Sequence, residues 1–358
     1  MRPLWVSILS MTVLAAPKPE PKESFYDDLP MSVWLMRLKA KDAATRRHAA
    51  NALSRLEPPN PAAVPALMGA LDDEDKSVRV AAASALGWLK ASAAVPALLD
   101  AVKDKDADVR WSAVHALGII GPGAAKAAPA LAKALEGDDV RVCRIAAFSL
   151  GQIQPDPKVA VPVLCAALEH TDAEVRTAAA EALGWIGPPA QEALPHLRDA
   201  LTMDKNPRTR AGAAFALGRT ASDPDIVVPA LVKALKDKES EVRDAATRAL
   251  YDVGGTAKAA VPALLPLLKD ENSGVRSGAA IALAVHGRED KDIVRALIPL
   301  LKDADTDVRR ITALALGRIG PAAQAASPGL TGATNDMDPN VRAAAAEALQ
   351  RIGVSPEE

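Results

Sequence analysis

An all-α solenoid of about ten two-helix units is the fold this sequence predicts, and three observations predict it. First, an arginine returns at a nearly fixed period: Arg46, Arg79, Arg110, Arg176, Arg210, Arg243, Arg276, Arg309 and Arg342, with Cys143 in the one remaining slot. Successive slots lie 33, 31, 33, 33, 34, 33, 33, 33 and 33 residues apart, a period that marks a repeat array. Second, each slot sits in a phrase whose clearest copy is Asp172–Gly187, DAEVRTAAAEALGWIG. It carries a capping residue, a helical apolar stripe at Val175, Ala179, Ala182 and Ile186, and a glycine stop before Pro188. Third, the 358 residues include only five Trp, two Tyr and three Phe, while alanine is abundant. Such small side chains fill a core only where helices approach closely in many thin layers.

The chain start stands apart from the repeat. Arg2 precedes the apolar run Leu4–Leu14, and Val13 and Ala15 place small residues at −3 and −1 of a cut after Ala15. Residues 1–15 therefore read as a secretory signal peptide, and export to the periplasm or the extracellular space is expected. The run falls short of the ~20 residues of a transmembrane helix. A mobile apolar start or an uncleaved anchor is the other reading. Residues 16–28, rich in proline and charge, read as an extended linker. The array occupies 29–354, and 355–358 form a tail.

Within the array, a residue suited to N-capping stands four positions before each slot: Asp42, Asp75, Asp106, Asp139, Asp172, Asn206, Glu239, Asn272, Asp305 and Asp338. Eight positions after the slot, glycine recurs as Gly87, Gly118, Gly151, Gly184, Gly218 and Gly317. Mid-helix glycine costs about 1 kcal/mol against alanine, so its return at one slot predicts close approach of neighbouring helices. Ser54, Tyr251, Ala284 and Gln350 depart from that pattern, and looser packing is expected there. The leading helix reads VPALLDAV at Val95–Val102. Pro65, Pro96, Pro129, Pro162, Pro195, Pro229, Pro262 and Pro328 are placed in its first turn, where proline's missing N–H has no intrahelical partner. Arg295 takes that slot in the ninth unit. Pro266 and Pro299 lie one turn further in and are expected to kink their helices. The first unit, Leu29–Leu56, is expected to act as a cap.

With capping residue, Val-Arg, Ala-Ala, Leu-Gly and Ile-Gly returning in register, the chain resembles HEAT repeats, specifically the short phycobilisome-lyase-type repeats with their DxxVRxxAAxALGxIG consensus. The TPLH turn of ankyrin repeats and the Trp-Leu-Gly-Tyr spacing of tetratricopeptide repeats are absent. The resemblance implies a right-handed α-solenoid whose second helices line the concave face. It also implies a structural ladder of Asp and Arg between units, carried here to Asp75/Arg79 and Asp172/Arg176.

No catalytic motif accompanies this architecture. There is no GxSxG, P-loop or dinucleotide fingerprint. His48, His115, His170, His196 and His286 are never spaced i, i+3 or i+4 from one another as a helical metal site needs, and Cys143 and Cys165 lack matched histidines. The two cysteines read as isolated thiols, with a bridge between adjacent units the alternative. No catalytic residue, metal or cofactor is expected. A net charge of −2 gives no electrostatic argument for nucleic acid.

Function is sought where the copies differ. Positions one, five and nine after each slot share one helical stripe pointing away from the core. They hold half of the chain's aromatics, all in units two to six. Trp88, Trp111, His115, Arg144, Phe148, Trp185, Phe215, Arg219, Arg248, Arg310 and Arg318 are the candidate partner-binding residues. Such rings mark contact with a partner, or they fill gaps between units where alanine leaves room. The expected function is a non-enzymatic, monomeric scaffold for a protein or peptide. The resemblance supplies an alternative, a bilin-lyase-like chromophore-binding subunit with Trp88, Trp111 and His115 against the bilin.

Overall fold

The computed structural model describes residues 24–254, 257–287 and 290–354. The proposed signal peptide, most of the linker and the tail lie outside the described residues. The end of the linker does not: Phe25–Tyr26 (β1) pairs antiparallel with Leu29–Pro30 (β2). Asp27 and Asp28, both at positive φ, form the tight two-residue turn that suits a hairpin's twist. Phe25 also exchanges backbone hydrogen bonds with Glu57, and Trp34, fully buried, donates its indole N–H to Tyr26 O at 3.2 Å. Residues 24–28 thus pack on the first unit instead of extending as linker, because Tyr26 and Trp34 give them apolar surface to cover.

Ten helix pairs follow among the described residues. They are α1 (Met31–Arg37) with α2 (Ala43–Leu53), α3 (Val64–Gly69) with α4 (Lys76–Trp88), α5 (Val95–Ala101) with α6 (Ala107–Ile120), α7 (Ala128–Leu135) with α8 (Val140–Gln152), and α9 (Pro157–Ala167) with α10 (Ala173–Ile186). The second five are α11 (Leu194–Met203) with α12 (Pro207–Thr220), α13 (Pro224–Ala234) with α14 (Ser240–Val253), α15 (Val261–Leu264) with α16 (Ser273–His286), α17 (Lys291–Leu297) with α18 (Thr306–Ile319), and α19 (Ser327–Ala333) with α20 (Pro339–Ile352). Each even-numbered helix packs against the next even-numbered one, so the second helices form a continuous layer. The architecture is an α-solenoid. No described helix is long and apolar enough to cross a membrane.

Local chemistry sets the helix starts. Nine of the ten expected caps accept a first-turn N–H through the side chain; Asp172 Oδ1, for example, accepts from Glu174 N at 2.9 Å. Glu239 is the exception and makes no side-chain cap; its side chain is one methylene longer than Asp. Two proline assignments need correction. In units five and seven the leading helix begins a turn early at Pro157 and Pro224, capped by Asp156 and Asp223, so Pro162 and Pro229 lie inside their helices. Pro266 and Pro299 end their α-helices at Leu264 and Leu297. The chain then continues as 3-10 turns, Leu265–Lys269 and Ile298–Lys302, because proline cannot donate the i−4 hydrogen bond.

The core runs along the layer of second helices. Leu86, Leu117, Leu150, Leu183 and their counterparts through Leu349 are buried, each contributing about 1.5–3 kcal/mol over exposure. Close approach at the glycine slot is confirmed. A Cβ on Gly87, Gly218 or Gly317 would sit 2.9, 2.7 or 2.9 Å from the Cα of Ala116, Ala249 or Ala348 in the next unit.

The Asp–Arg ladder exists, but its acid is not the cap. Arg79 Nε donates to Asp104 Oδ2 at 2.8 Å, and Arg176 Nε donates to Asp204 Oδ2 at 2.6 Å. In each case the acid stands two residues before the next unit's cap. The same arginine donates to two backbone carbonyls of its own turn, as Arg79 does to Asp73 O and Glu74 O. The acid in turn accepts the cap residue's N–H, as Asp104 does from Asp106. Equivalent pairs are Arg46–Asp73, Arg210–Asp237, Arg243–Asp270, Arg276–Asp303 and Arg309–Asp336. Two positions break the series. Arg110 reaches only its own carbonyls, since Gly137 replaces the next acid. Cys143 replaces the next arginine and donates to Gly137 O at 3.0 Å, while His170 Nδ1 accepts the Asp172 N–H in place of an aspartate.

Candidate binding cleft

The outward stripe of α8, α10 and α12 forms the wall of an open cleft of about 690 Å³, to which Arg144, Phe148, Glu181, Trp185 and Phe215 contribute. Phe148 and Trp185 meet edge to face, with centroids 5.1 Å apart and planes at 88°, an arrangement the ring quadrupoles favour. Both rings and Phe215 are half-buried. The glycine slot explains their position. A Cβ on Gly151 would lie 2.7 Å from Trp185 Cε3, and one on Gly184 would lie 2.6 Å from Phe215 Cε1. Each ring leans back over the preceding unit's glycine and still lines the cleft, so the same side chains both fill an inter-unit gap and offer apolar surface.

Charge enters from the first turns. Glu174, Arg208 and Glu241 stand two residues before the slot on α10, α12 and α14 and also line the cleft. Arg208 Nη1 lies 3.7 Å from Glu174 Oε1, and one unit earlier Arg141 Nη1 lies 3.1 Å from Asp108 Oδ1. These pairs are well exposed, where screening leaves little energy. Sequence reasoning missed this row because it began the stripe at the slot. The available signal was alternating sign at one fixed position: Asp108, Arg141, Glu174, Arg208, Glu241.

Glu181 differs from these carboxylates. It is half-buried, and burial, then the like charge of Glu174, push its carboxyl above the ordinary range. Among the described residues no cation lies within ion-pair distance of it; Arg208 is engaged with Glu174 instead.

The other predicted residues are scattered. Arg219 lies beside the cleft, its Cζ 5.7 Å from the Phe215 centroid and its Nε donating to Gly184 O at 3.1 Å. Trp111 and His115, one helical turn apart, have ring centroids 4.9 Å apart with planes tilted by 35°, and burial pushes the His115 imidazole below its ordinary range. Trp88 is 69% exposed at the end of α4. Arg248 and Arg310 pair with Asp244 and Asp307 on their own helices, and Arg318 caps the Tyr251 ring at 5.4 Å. The structure therefore gathers Arg144, Phe148, Trp185 and Phe215 into one cleft and leaves Trp88, the Trp111–His115 pair, Arg248, Arg310 and Arg318 outside it. Cys143 and Cys165 are buried and unbridged, and burial pushes the Cys165 thiol up to about 11.

The sequence profile of HEAT repeats matches residues 31–106, 70–151, 142–218, 194–284 and 294–358. The chain belongs to the HEAT-repeat family. No curated protein sequence matches it significantly. Among solved structures, this HEAT array is similar to an engineered protein, at 26% identity and a TM-score of 0.52, over 91% of this chain and 99% of the other. It is also similar to Kap95p, whose binding induces the switch loops of RanGDP to adopt the GTP-bound conformation. That likeness has 16% identity and a TM-score of 0.61, over 90% of this chain and 50% of the other. Kap121p bound to the extreme C-terminus of the protein phosphatase Cdc14p matches at 17% identity and a TM-score of 0.56, over 93% and 43%. The chain spans half or less of these two karyopherins, and likeness at such identity speaks to the fold alone.

Proposed function

We propose that this HEAT array is a non-enzymatic, exported scaffold that holds a protein or peptide partner on the face of its second helices. The cleft over units four to seven is the seat. One observation carries this: Phe148, Trp185 and Phe215 converge from three successive units on one open cleft rimmed by charge. Half-buried rings with a polar rim have the composition of a binding hot spot. The karyopherins of similar fold, whose structures concern protein partners, are consistent with it.

The test is capture of a partner from the periplasmic or extracellular fraction. Replacing Phe148 and Trp185 by alanine removes capture and leaves helical circular dichroism nearly intact, whereas Trp88→Ala, outside the cleft, captures as well as the parent chain. Equal capture by the double variant sinks the proposal. Export is tested separately by fusing residues 1–25 to a reporter, which must appear outside the cytoplasm and be cut. The bilin-lyase-like alternative draws on the adjacent Trp111 and His115 rings, and a shifted visible absorbance band on mixing with bilin decides for it.

A further inference from the structure

The cleft holds a carboxylate without a counter-charge. Glu181 on α10 has Phe148 of the preceding unit and Phe215 of the following unit lining the same cleft, with Trp185 one turn along its own helix. Phe148 and Trp185 make two walls nearly at right angles. Across on α12, Gly212 faces Glu181, and a Cβ there would meet Glu181 Cγ at 3.5 Å, an ordinary contact. Of the two cations lining the cleft, Arg208 is engaged with Glu174, and Arg144 lies exposed on α8 outside ion-pair distance of Glu181.

We infer that this aromatic-walled cleft is a cation cage, and that its occupant is the alkylammonium group of a lysine side chain on the protein partner. Aromatic faces attract cations through the ring quadrupole, most strongly where water is displaced. A half-buried carboxylate gains most from a charge brought to it. Lysine fits better than arginine because its four-carbon stem can lie along the apolar walls and deliver a compact charge to a single carboxylate. A guanidinium would seek a planar, bidentate partner with its edges in water. This identification rests on the scaffold reading and specifies what the scaffold grips.

Titrating the intact protein with n-butylammonium, followed by tryptophan indole N–H resonances, tests it directly. Saturable movement of one indole signal, absent with uncharged n-butanol at equal concentration, is expected. That signal must be the one lost in Trp185→Phe. Equal response to the alcohol, or none to the amine, overturns the cage. Glu181→Gln preserves size and removes the charge, so it is expected to weaken n-butylammonium about tenfold, the scale of one charge-assisted contact. Undiminished binding by E181Q also overturns it. Failure here is separable from failure of the scaffold. A partner lost by the Phe148/Trp185 double variant but held fully by E181Q leaves the scaffold standing and removes only the cation site.

Discussion

Units five to ten and units three to five are built from the same phrase yet joined differently. From Arg176 to Asp336, five consecutive ion pairs link each unit to the next. Between α6 and α10 two such links are missing, at Gly137 and at Cys143. The helices continue through the gap without a break, and Gly118 and Gly151 still seat against Ser149 and Ala182. Register therefore comes from glycine-to-small-residue contact and from buried leucine. The ion pairs add stability on top of it. The gap falls where α8 brings Phe148 to the cleft, so the aromatic wall's first element is held by apolar packing without the arginine clamp.

Acid should expose this difference most strongly, because it strikes all seven ladder aspartates together. Burial works to raise Asp104, Asp204, Asp237, Asp270 and Asp303, but their arginines and the cap N–H groups outweigh it. At Asp73 and Asp336 the arginine hydrogen bond leads. All seven thus titrate below the ordinary carboxylate range. Their stabilisation is fully present above the unfolded value of ~3.9 and is lost as pH falls through the lower folded values. Hydrogen exchange across that window should show α12 to α18 losing the protection their ladder supplies, while α8 loses only what its Asp139 cap contributes. A uniform loss along the chain would erase the distinction between the two regions.

Single substitutions rank below that. Asp237→Ala leaves Arg210 largely buried without its acid, and breaking such a pair costs about 3 kcal/mol in urea unfolding; Asp138→Ala, beside the gap, should stay within about 0.5 kcal/mol. Gly218→Ala drives a methyl against Ala249 and should cost about 1–3 kcal/mol. Gly332→Ala in α19, with nothing within 4 Å, should instead gain up to about 1 kcal/mol. Gly137→Asp offers Arg110 its missing acid and stiffens the turn. A gain of about 0.5–1 kcal/mol is expected, with slower exchange in α6 and α8. No gain would mean that Arg110 is not placed for a clamp.

Most of the fold was legible because repetition averages out accidents: ten copies identify the caps, the Val-Arg position and the glycine slot. Residue-level detail was less legible. The family resemblance pairs the ladder arginine with the cap aspartate, but that aspartate is engaged in capping; Asp73, Asp104 and Asp204 also recur, and the arginine each one meets lies a full unit away in sequence. Pro162 and Pro229 fall inside their helices because Asp-Pro at 156–157 and 223–224 starts a helix earlier than the repeat would suggest. The cleft was half visible. Phe148, Trp185 and Phe215 stood on the stripe, but nothing in the sequence says that rings lean toward the previous unit, and that tilt brings Phe148 and Trp185 into contact. Glu181, one variable letter among many, gains meaning only once the cations near it are found engaged or out of reach.

Each ladder aspartate is met by the previous unit's arginine while holding its own unit's cap, which makes the array divisible. The 33 residues from 211 to 243 contain one ladder acid, Asp237, and one ladder arginine, Arg243. A second copy spliced in after Arg243 would give every inserted ladder arginine an acid and every ladder acid an arginine, lengthening the array by one unit with no new surface to design. The same operation on residues 111 to 143, which contribute Gly137 and Cys143, would lengthen it by a segment that no clamp secures.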